Sequence, residues 1–157
     1  MTKVKRFIPW TIILVGIVSV VMGIVFIQQG VAAKNLLTSQ MALEKATYGG
    51  QPVELLADGT VVDVDFTFDG IVDSAAEAKA MSDTLKAHRS ASGFYTELAR
   101  DDPGRATILN AMTMENSLNM AQMGFGLSNF ALGAGVTLLL IGAGFGAVGA
   151  LQFKKEQ

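Results

Sequence analysis

The sequence predicts a mainly α-helical membrane protein, an antiparallel two-helix transmembrane hairpin with a small external α+β cap that contains one β-hairpin. Two uncharged runs lead to this prediction, one of 27 residues (7–33) and one of 38 residues (116–153). Each run exceeds the roughly 20 residues that a helix needs to cross the hydrocarbon core of a bilayer. Between the runs lies a polar, acidic segment with its own turn and strand signals.

The charges are distributed unevenly. Residues 1–30 and 150–157 together hold five Lys/Arg and one acid, whereas residues 31–149 hold seven Lys/Arg and thirteen acids. No basic patch with interleaved aromatic residues is present, so we expect no nucleic-acid partner. Cysteine is absent, which excludes disulfides, thiolate metal sites and c-type haem attachment.

Transmembrane helix 1 is predicted over residues 1–33. Pro9 suits the first turn of a helix, and Trp10 is typical of an aromatic belt at headgroup level. A cleaved secretory signal ending at "VAA" is the alternative interpretation. The length of the apolar stretch favours a retained anchor.

The external segment, residues 34–122, is predicted to begin as a continuation of the first helix. A β-hairpin at about 52–68 follows, because Asp58-Gly59 is a strong turn signal and apolar residues then alternate with polar ones from Val62 to Phe68. A helix at about 75–88 comes next, with Ser74 and Glu77 spaced as a capping box.

A long helix is predicted to start at Pro103, after Asp102 as N-cap, and to continue through transmembrane helix 2 at residues 123–153. Residues 154–157 form a short tail. The external half of this helix carries an apolar set that we expect to be core against the extension of the first helix, with an adaptable binding surface as the alternative. The set is Ile108, Leu109, Met112, Met114, Leu118, Met120 and Met123.

The basic ends predict the orientation of the hairpin. Lys/Arg-rich segments next to a span face the cytoplasm. We therefore expect both termini to be cytoplasmic and residues 31–122 to be external.

Small residues recur every seven positions in both predicted spans. Such spacing lets two helix backbones approach closely, and van der Waals packing drives helix association in lipid. We therefore predict that the two spans pack on each other. A homodimer through Gly133 and Gly144 is a further expectation. The predicted helix-packing residues are Gly16, Ser19, Gly23, Gly30, Ser128, Gly135, Gly142, Gly146 and Gly149.

No chemical motif in the chain predicts catalysis. "GFGAVG" at 144–149 matches a dinucleotide fingerprint in letters, but it lies inside a predicted span without the strand and turn that such a site needs. His88 could pair with Glu97, Asp101 or Asp102, although a histidine at a helix end more often interacts with the helix dipole. The uncharged runs 7–33 and 116–153 contain no ionisable residue, which argues against ion or proton transport by this chain alone.

A candidate calcium site falls on Asp65, Thr67, Asp69 and Asp73, which match the first half of an EF-hand loop. The bidentate glutamate required at the twelfth position is replaced by Ala76. An acidic strand edge that discourages aggregation is the favoured interpretation.

The block "FYTELARDDPGR" resembles one in a group of small two-span membrane proteins of actinobacteria and related bacteria. Some members of that group are labelled aromatic ring-opening dioxygenases, a label that does not transfer, because such enzymes need two histidines and a carboxylate for iron and this chain has one histidine. The resemblance implies the two-span architecture in a bacterial plasma membrane, without an activity. It rests on Gly70, Val72, Asp73, His88, Gly93, Tyr95, Thr96, Glu97, Leu98, Asp102, Pro103 and Arg105, and on "LEK" at 43–45.

These patterns predict a non-enzymatic structural or accessory membrane protein, a small subunit of a larger membrane complex. Its partners would be the lipid bilayer and other integral membrane subunits, and we expect no cofactor. The alternative is a stand-alone membrane-anchored sensor or ligand-binding module with an external cap.

Overall fold

The computed structural model of the chain is mostly helical. It describes residues 2–46, 53–56, 58–63 and 70–155. Three helices, α1 (Thr2–Leu43), α2 (Ala75–Ala91) and α3 (Gly104–Lys155), and two strands, β1 (Val53–Leu55) and β2 (Val61–Asp63), make up the described part. Helices α1 and α3 are long and apolar enough to cross a membrane.

The chain divides into two compact units. Unit 1 contains Met1–Ala33 and Leu127–Gln157, and unit 2 contains Lys34–Gly126. Helices α1 and α3 each contribute one part to each unit.

Unit 1 consists of two helical segments with an apolar exterior. Large hydrophobic side chains such as Leu14, Ile17, Leu140 and Leu151 are more than half exposed on this pair. In the most apolar 18-residue window of each long helix only 11% is buried inside the protein. A helix of a water-soluble protein hides its apolar stripe in a core, so these helices differ from soluble core helices.

The end of α1 lies in unit 2. Its last turn closes through the Ala46 N–H, which donates to the Met41 carbonyl oxygen at 2.9 Å, and Lys45 takes a left-handed φ of 50°. The Val72 N–H then donates to the Ala46 carbonyl oxygen at 3.1 Å. These bonds satisfy backbone groups that a helix end leaves free.

Strands β1 and β2 pair antiparallel, with Val53 opposite Asp63 and Leu55 opposite Val61. Residues 64–69 of the predicted hairpin lie outside the described residues. All three β2 residues are exposed, so the apolar–polar alternation that begins at Val62 does not bury this residue. Strand β1 lies against α2, and its Val53 N–H donates to the Thr84 hydroxyl at 3.2 Å.

Helix α2 begins with the predicted capping box. The Glu77 N–H donates to the Ser74 hydroxyl, and Glu77 Oε2 accepts from the backbone N–H groups of Ser74 and Asp73. The helix ends at Ala91, three residues beyond the predicted end at 88. The core of unit 2 contains Val72, Ala78, Ala121 and Phe125, with Leu37 and Met41 packed against it.

The apolar set on the external half of α3 does not form one core stripe. Ile108 and Leu118 are buried, but Met112, Met114, Met120 and Met123 are between 43% and 76% exposed. The expectation that these methionines are core is wrong. The buried side of α3 also includes Glu115, Ala121 and Phe125, and it leaves the methionines on other faces of the helix.

Candidate helix-packing site

The predicted glycines of unit 1 bring the backbones of α1 and α3 together. A Cβ added at Gly16 would lie 2.9 Å from the Gly142 carbonyl oxygen, and one added at Gly142 would lie 2.7 Å from the Gly16 carbonyl oxygen. The same reciprocal arrangement joins Gly23 and Gly135, at 2.7 and 2.8 Å. Real Cβ atoms do not approach oxygen so closely, so only glycine fits at these four positions.

Two further levels extend the contact. An added Cβ at Gly30 would lie 3.0 Å from the Ser128 carbonyl oxygen, and one at Gly149 would lie 2.5 Å from Ile13 Cγ1 and 3.4 Å from the Pro9 carbonyl oxygen. At the first of these levels the α3 residue is a serine and not a glycine. Ser128 Oγ donates to the Gly30 carbonyl oxygen at 2.6 Å, and Ser128 is only 2% exposed.

The four levels share one register. Seven residues forward along α1 correspond to seven residues backward along α3, which is the geometry of an antiparallel pair with a heptad seam. Pro9 and Gly149 lie at one end of the seam, and Gly30 and Ser128 lie at the other.

Gly146 and Ser19 lie beside this seam. The Gly146 backbone nitrogen would be 3.1 Å from a Cβ at Gly16, but a Cβ added at Gly146 itself would meet no described atom within 4 Å. Ser19 is half-buried. The backbone of Gly146 therefore lies close to α1, but there is space for a side chain at this position.

A shallow apolar groove of about 270 Å³ runs along the seam. Its walls are the side chains of Ile13, Ile17, Val20 and Val21, and its floor is formed by glycines. The groove forms because the glycines have no side chains to fill this space. Its floor contains Gly16, Gly142 and Gly146.

Gly133 and Gly144 lie away from this seam. A Cβ added at either position would meet no described atom within 4 Å. Neighbouring large side chains, such as Phe130 and Leu140, are about 70% exposed. The face on which we predicted a homodimer is thus an open, apolar face of α3.

Each end of the helix pair carries its own polar or aromatic marker. Trp10 and Phe153 form an edge-to-face contact with ring centroids 5.2 Å apart. Near the Gly30–Ser128 level, Gln28, Gln29 and Asn129 are exposed. The side chains between these markers are apolar or small, apart from a few hydroxyls such as that of Thr137, which bonds within its own helix to the Gly133 carbonyl oxygen.

The candidate calcium residues Asp65, Thr67 and Asp69 lie outside the described residues. The fourth, Asp73, uses its backbone N–H in a 2.7 Å bond to Glu77 Oε2. Among the described residues, no group of three or more His, Cys, Asp or Glu side chains is placed to hold a metal ion.

Unit 2 contains a polar contact between α2 and α3 that the sequence analysis missed. Arg89 donates from Nε and Nη2 to the two Glu115 carboxylate oxygens, at 2.6 and 3.1 Å. The side chains are 14% and 11% exposed. The hydrogen bond to Glu115 raises the Arg89 pKa above its ordinary value, against a smaller opposing effect of burial. Ser82 Oγ also donates to Asn119 Oδ1 at 2.9 Å.

The segment from Phe94 to Arg105 is held by contacts among its own residues. The Arg105 guanidinium lies 4.0 Å from the centre of the Tyr95 ring, and Arg105 Nη1 donates to the Leu98 carbonyl oxygen. Asp102 Oδ1 accepts from the Gly104 N–H at 2.7 Å, as an N-cap does. His88 is exposed in the last turn of α2.

No protein-family model matches the chain, and neither the curated proteins nor the solved structures contain a match to it.

Proposed function

We propose that the chain is a non-enzymatic, two-span integral membrane protein with a structural or accessory role, a small subunit of a larger membrane complex. The observation that carries the proposal is the helix pair of unit 1, whose polar atoms face inward at Ser128 and whose exterior is apolar. Without water to solvate exposed side chains, a bilayer favours this arrangement.

The length of the pair supports the proposal. The α1 axis rises about 30 Å over the twenty residue steps from Pro9 to Gln29, at 1.5 Å per step. A bilayer core is also about 30 Å thick. The aromatic contact of Trp10 with Phe153 would then lie at one interface, and Gln29 with Asn129 at the other.

The proposed orientation has both termini in the cytoplasm of a bacterial cell. Lys3, Lys5 and Arg6 precede the first span, and Lys154 and Lys155 follow the second. Residues 31–122 would be external and form a cap with a β-hairpin. Lys/Arg residues close to span ends set this orientation in most membrane proteins.

An accessory role follows from where the specific contacts of the chain lie. The glycine pairs 16/142 and 23/135 bring backbone close to backbone in unit 1, which stabilises a scaffold and leaves no polar cavity for a substrate in the described groove. Its outer face presents Phe130, Gly133, Leu140 and Gly144 to lipid or to another membrane helix. Small residues beside large ones are typical of faces that pack against neighbouring helices in membranes.

Membrane insertion and orientation can be tested together, because the chain has no cysteine. A Ser92→Cys variant places a thiol at an exposed position of unit 2, and a cysteine added after Gln157 places one at the C-terminal end. We expect alkaline carbonate to leave both proteins in the membrane, and an impermeant thiol reagent to label only S92C in intact cells. Release by carbonate would contradict the membrane assignment, and labelling of the C-terminal thiol would contradict the orientation.

The accessory role has a separate test. After mild detergent extraction, the protein should migrate with a complex much larger than its own monomer or dimer. Migration only at monomer or dimer mass would contradict the subunit role and would favour a stand-alone external module.

A further inference from the structure

Helix α3 carries a second apolar row in unit 2, on the side away from the core. We call it the α3 stripe, and its spacing of three or four residues places all members on one helix face. Of its apolar members, Leu109 is 53% exposed, Met120 66% and Met123 76%. The α3 stripe consists of Leu109, Met112, Asn116, Met120 and Met123.

The core of unit 2 uses another side of the same helix. Ile108, Leu118 and Phe125 are buried there, and Glu115 is held by Arg89 from α2. The described residues of unit 2 therefore do not cover the α3 stripe. Rows of exposed Leu and Met on a helix are typical of an interaction surface rather than of a surface in contact with water.

The charge pattern of α3 limits the partner. From Ala106 to Phe153 the only charged residue is Glu115, and its carboxylate is already bonded to Arg89 of α2. Charged side chains of a partner would find no opposite charge on the stripe. A second copy of the same stripe brings only apolar groups and amides, so two copies can meet without like-charge repulsion.

We propose that the α3 stripe pairs with the α3 stripe of a second copy of this chain, in parallel, with Asn116 against Asn116. The parallel arrangement rests on the proposed function, since a membrane gives every copy the same orientation. Under the two-fold symmetry of such a pair, equivalent residues of the two copies face each other.

Asn116 gives this pairing its specificity. An amide has both donors and an acceptor, so it can hydrogen-bond to a copy of itself. A single asparagine among apolar residues of a parallel helix pair fixes the register and favours two strands. Asn116 occupies such a position, between Met112 and Met120.

Single cysteines in the cysteine-free full-length protein test the proposal in native membranes. Asn116→Cys and Met123→Cys lie on the stripe. Asn110→Cys and Met114→Cys are matched controls, because both residues are exposed on other faces of the same helix segment. Under mild oxidation we expect a product of twice the chain mass, formed severalfold faster at positions 116 and 123 than at 110 and 114.

Three outcomes would overturn the pairing: no product at 116 and 123, equal rates at all four positions, or a product with a different protein. Carbonate extraction of the same membranes separates the two proposals. A chain that stays in the membrane but does not cross-link refutes only the pairing. A chain released by carbonate refutes the membrane assignment, and with it the basis for a parallel pair.

A second pair of variants replaces asparagine with aspartate, a polar side chain of nearly the same size. Asn116→Asp would place two carboxylates against each other, whereas Asn110→Asp makes the same change off the stripe. Cross-linking of Met123→Cys should fall severalfold with N116D and stay unchanged with N110D. Equal rates in both backgrounds would overturn the assignment of Asn116 to the interface.

Discussion

Ser128 donates a 2.6 Å hydrogen bond from its buried hydroxyl to the carbonyl oxygen of Gly30, across the two helices of unit 1. Gly30 is the last of three α1 glycines spaced by seven residues, and Ser128 is the first of four α3 residues with the same spacing. Gly30 lies within α1, and a carbonyl oxygen has two lone pairs, so the serine can bond to it without interrupting the helix.

The loss of this bond should weaken the helix pair measurably. We expect Ser128→Ala to destabilise it by about 0.6 kcal/mol and by no more than about 1.7 kcal/mol, the range measured for hydrogen bonds between membrane helices. Thr137→Ala is the matched control, since that hydroxyl bonds within α3 to Gly133. Unfolding in mixed micelles would measure both. Equal losses for the two variants would show that the interhelical bond contributes nothing specific.

A methyl group in the seam should cost more than a lost hydroxyl. An alanine Cβ at Gly23 would lie 2.7 Å from the Gly135 carbonyl oxygen, and backbone cannot move aside cheaply. We expect Gly23→Ala to destabilise the pair by about 1–3 kcal/mol, the usual cost of overpacking. Gly133→Ala should cost little, because the added Cβ meets no described atom. The same micelle assay compares them, and a larger loss at Gly133 would contradict the assigned faces.

The contributions of Arg89 and Glu115 to stability should be coupled. Glu115→Leu leaves the Arg89 guanidinium without its acceptor between α2 and α3, and we expect a loss on the order of 2–3 kcal/mol, somewhat below the cost at fully buried sites. The double variant Arg89→Leu/Glu115→Leu should be less destabilised than either single variant. Thermal unfolding followed by circular dichroism measures all three. A double variant whose loss equals the sum of the single losses would exclude coupling.

The β1–β2 turn should lose stability in acid. The Thr60 N–H donates to Asp58 Oδ1 at 2.9 Å, and this bond lowers the Asp58 pKa below its ordinary value of 3.8. A carboxyl with a lowered folded pKa contributes stability above its unfolded pKa and loses it as the pH falls through the folded pKa. The protection of the Thr60 amide, measured against the intrinsic exchange rate at each pH, should therefore fall below about pH 4. Asp58→Asn, which does not titrate, should remove that pH dependence, and a loss of protection that persists in D58N would assign the effect to another group.

Much of the helical architecture could be read from the sequence. The uncharged runs predict two helices long enough to span a membrane, and Ser74 with Glu77 predicts the start of α2, as found. These features are local, because they depend on spacing within one element. The heptad spacing of the small residues likewise identifies the positions at which the two backbones meet, since glycine at such a period has few other uses.

The faces of α3 in unit 2 could not be read in the same way. Several rows of apolar residues run along this helix, and periodicity alone does not say which row is covered. The missed signal was Glu115, the single charge in an otherwise neutral stretch. A lone acid beside Ile108 and Leu118 indicates a buried partner of opposite charge. Its identity as Arg89, 26 positions earlier, depends on tertiary structure.

The structure tolerates no larger residue at the four glycines of the two central levels. Any single-base change in a glycine codon that alters the amino acid introduces a residue with a Cβ. At Gly16, Gly23, Gly135 and Gly142 that atom would fall within 3 Å of a carbonyl oxygen of the other helix. Missense variants at these codons should therefore be depleted among natural alleles.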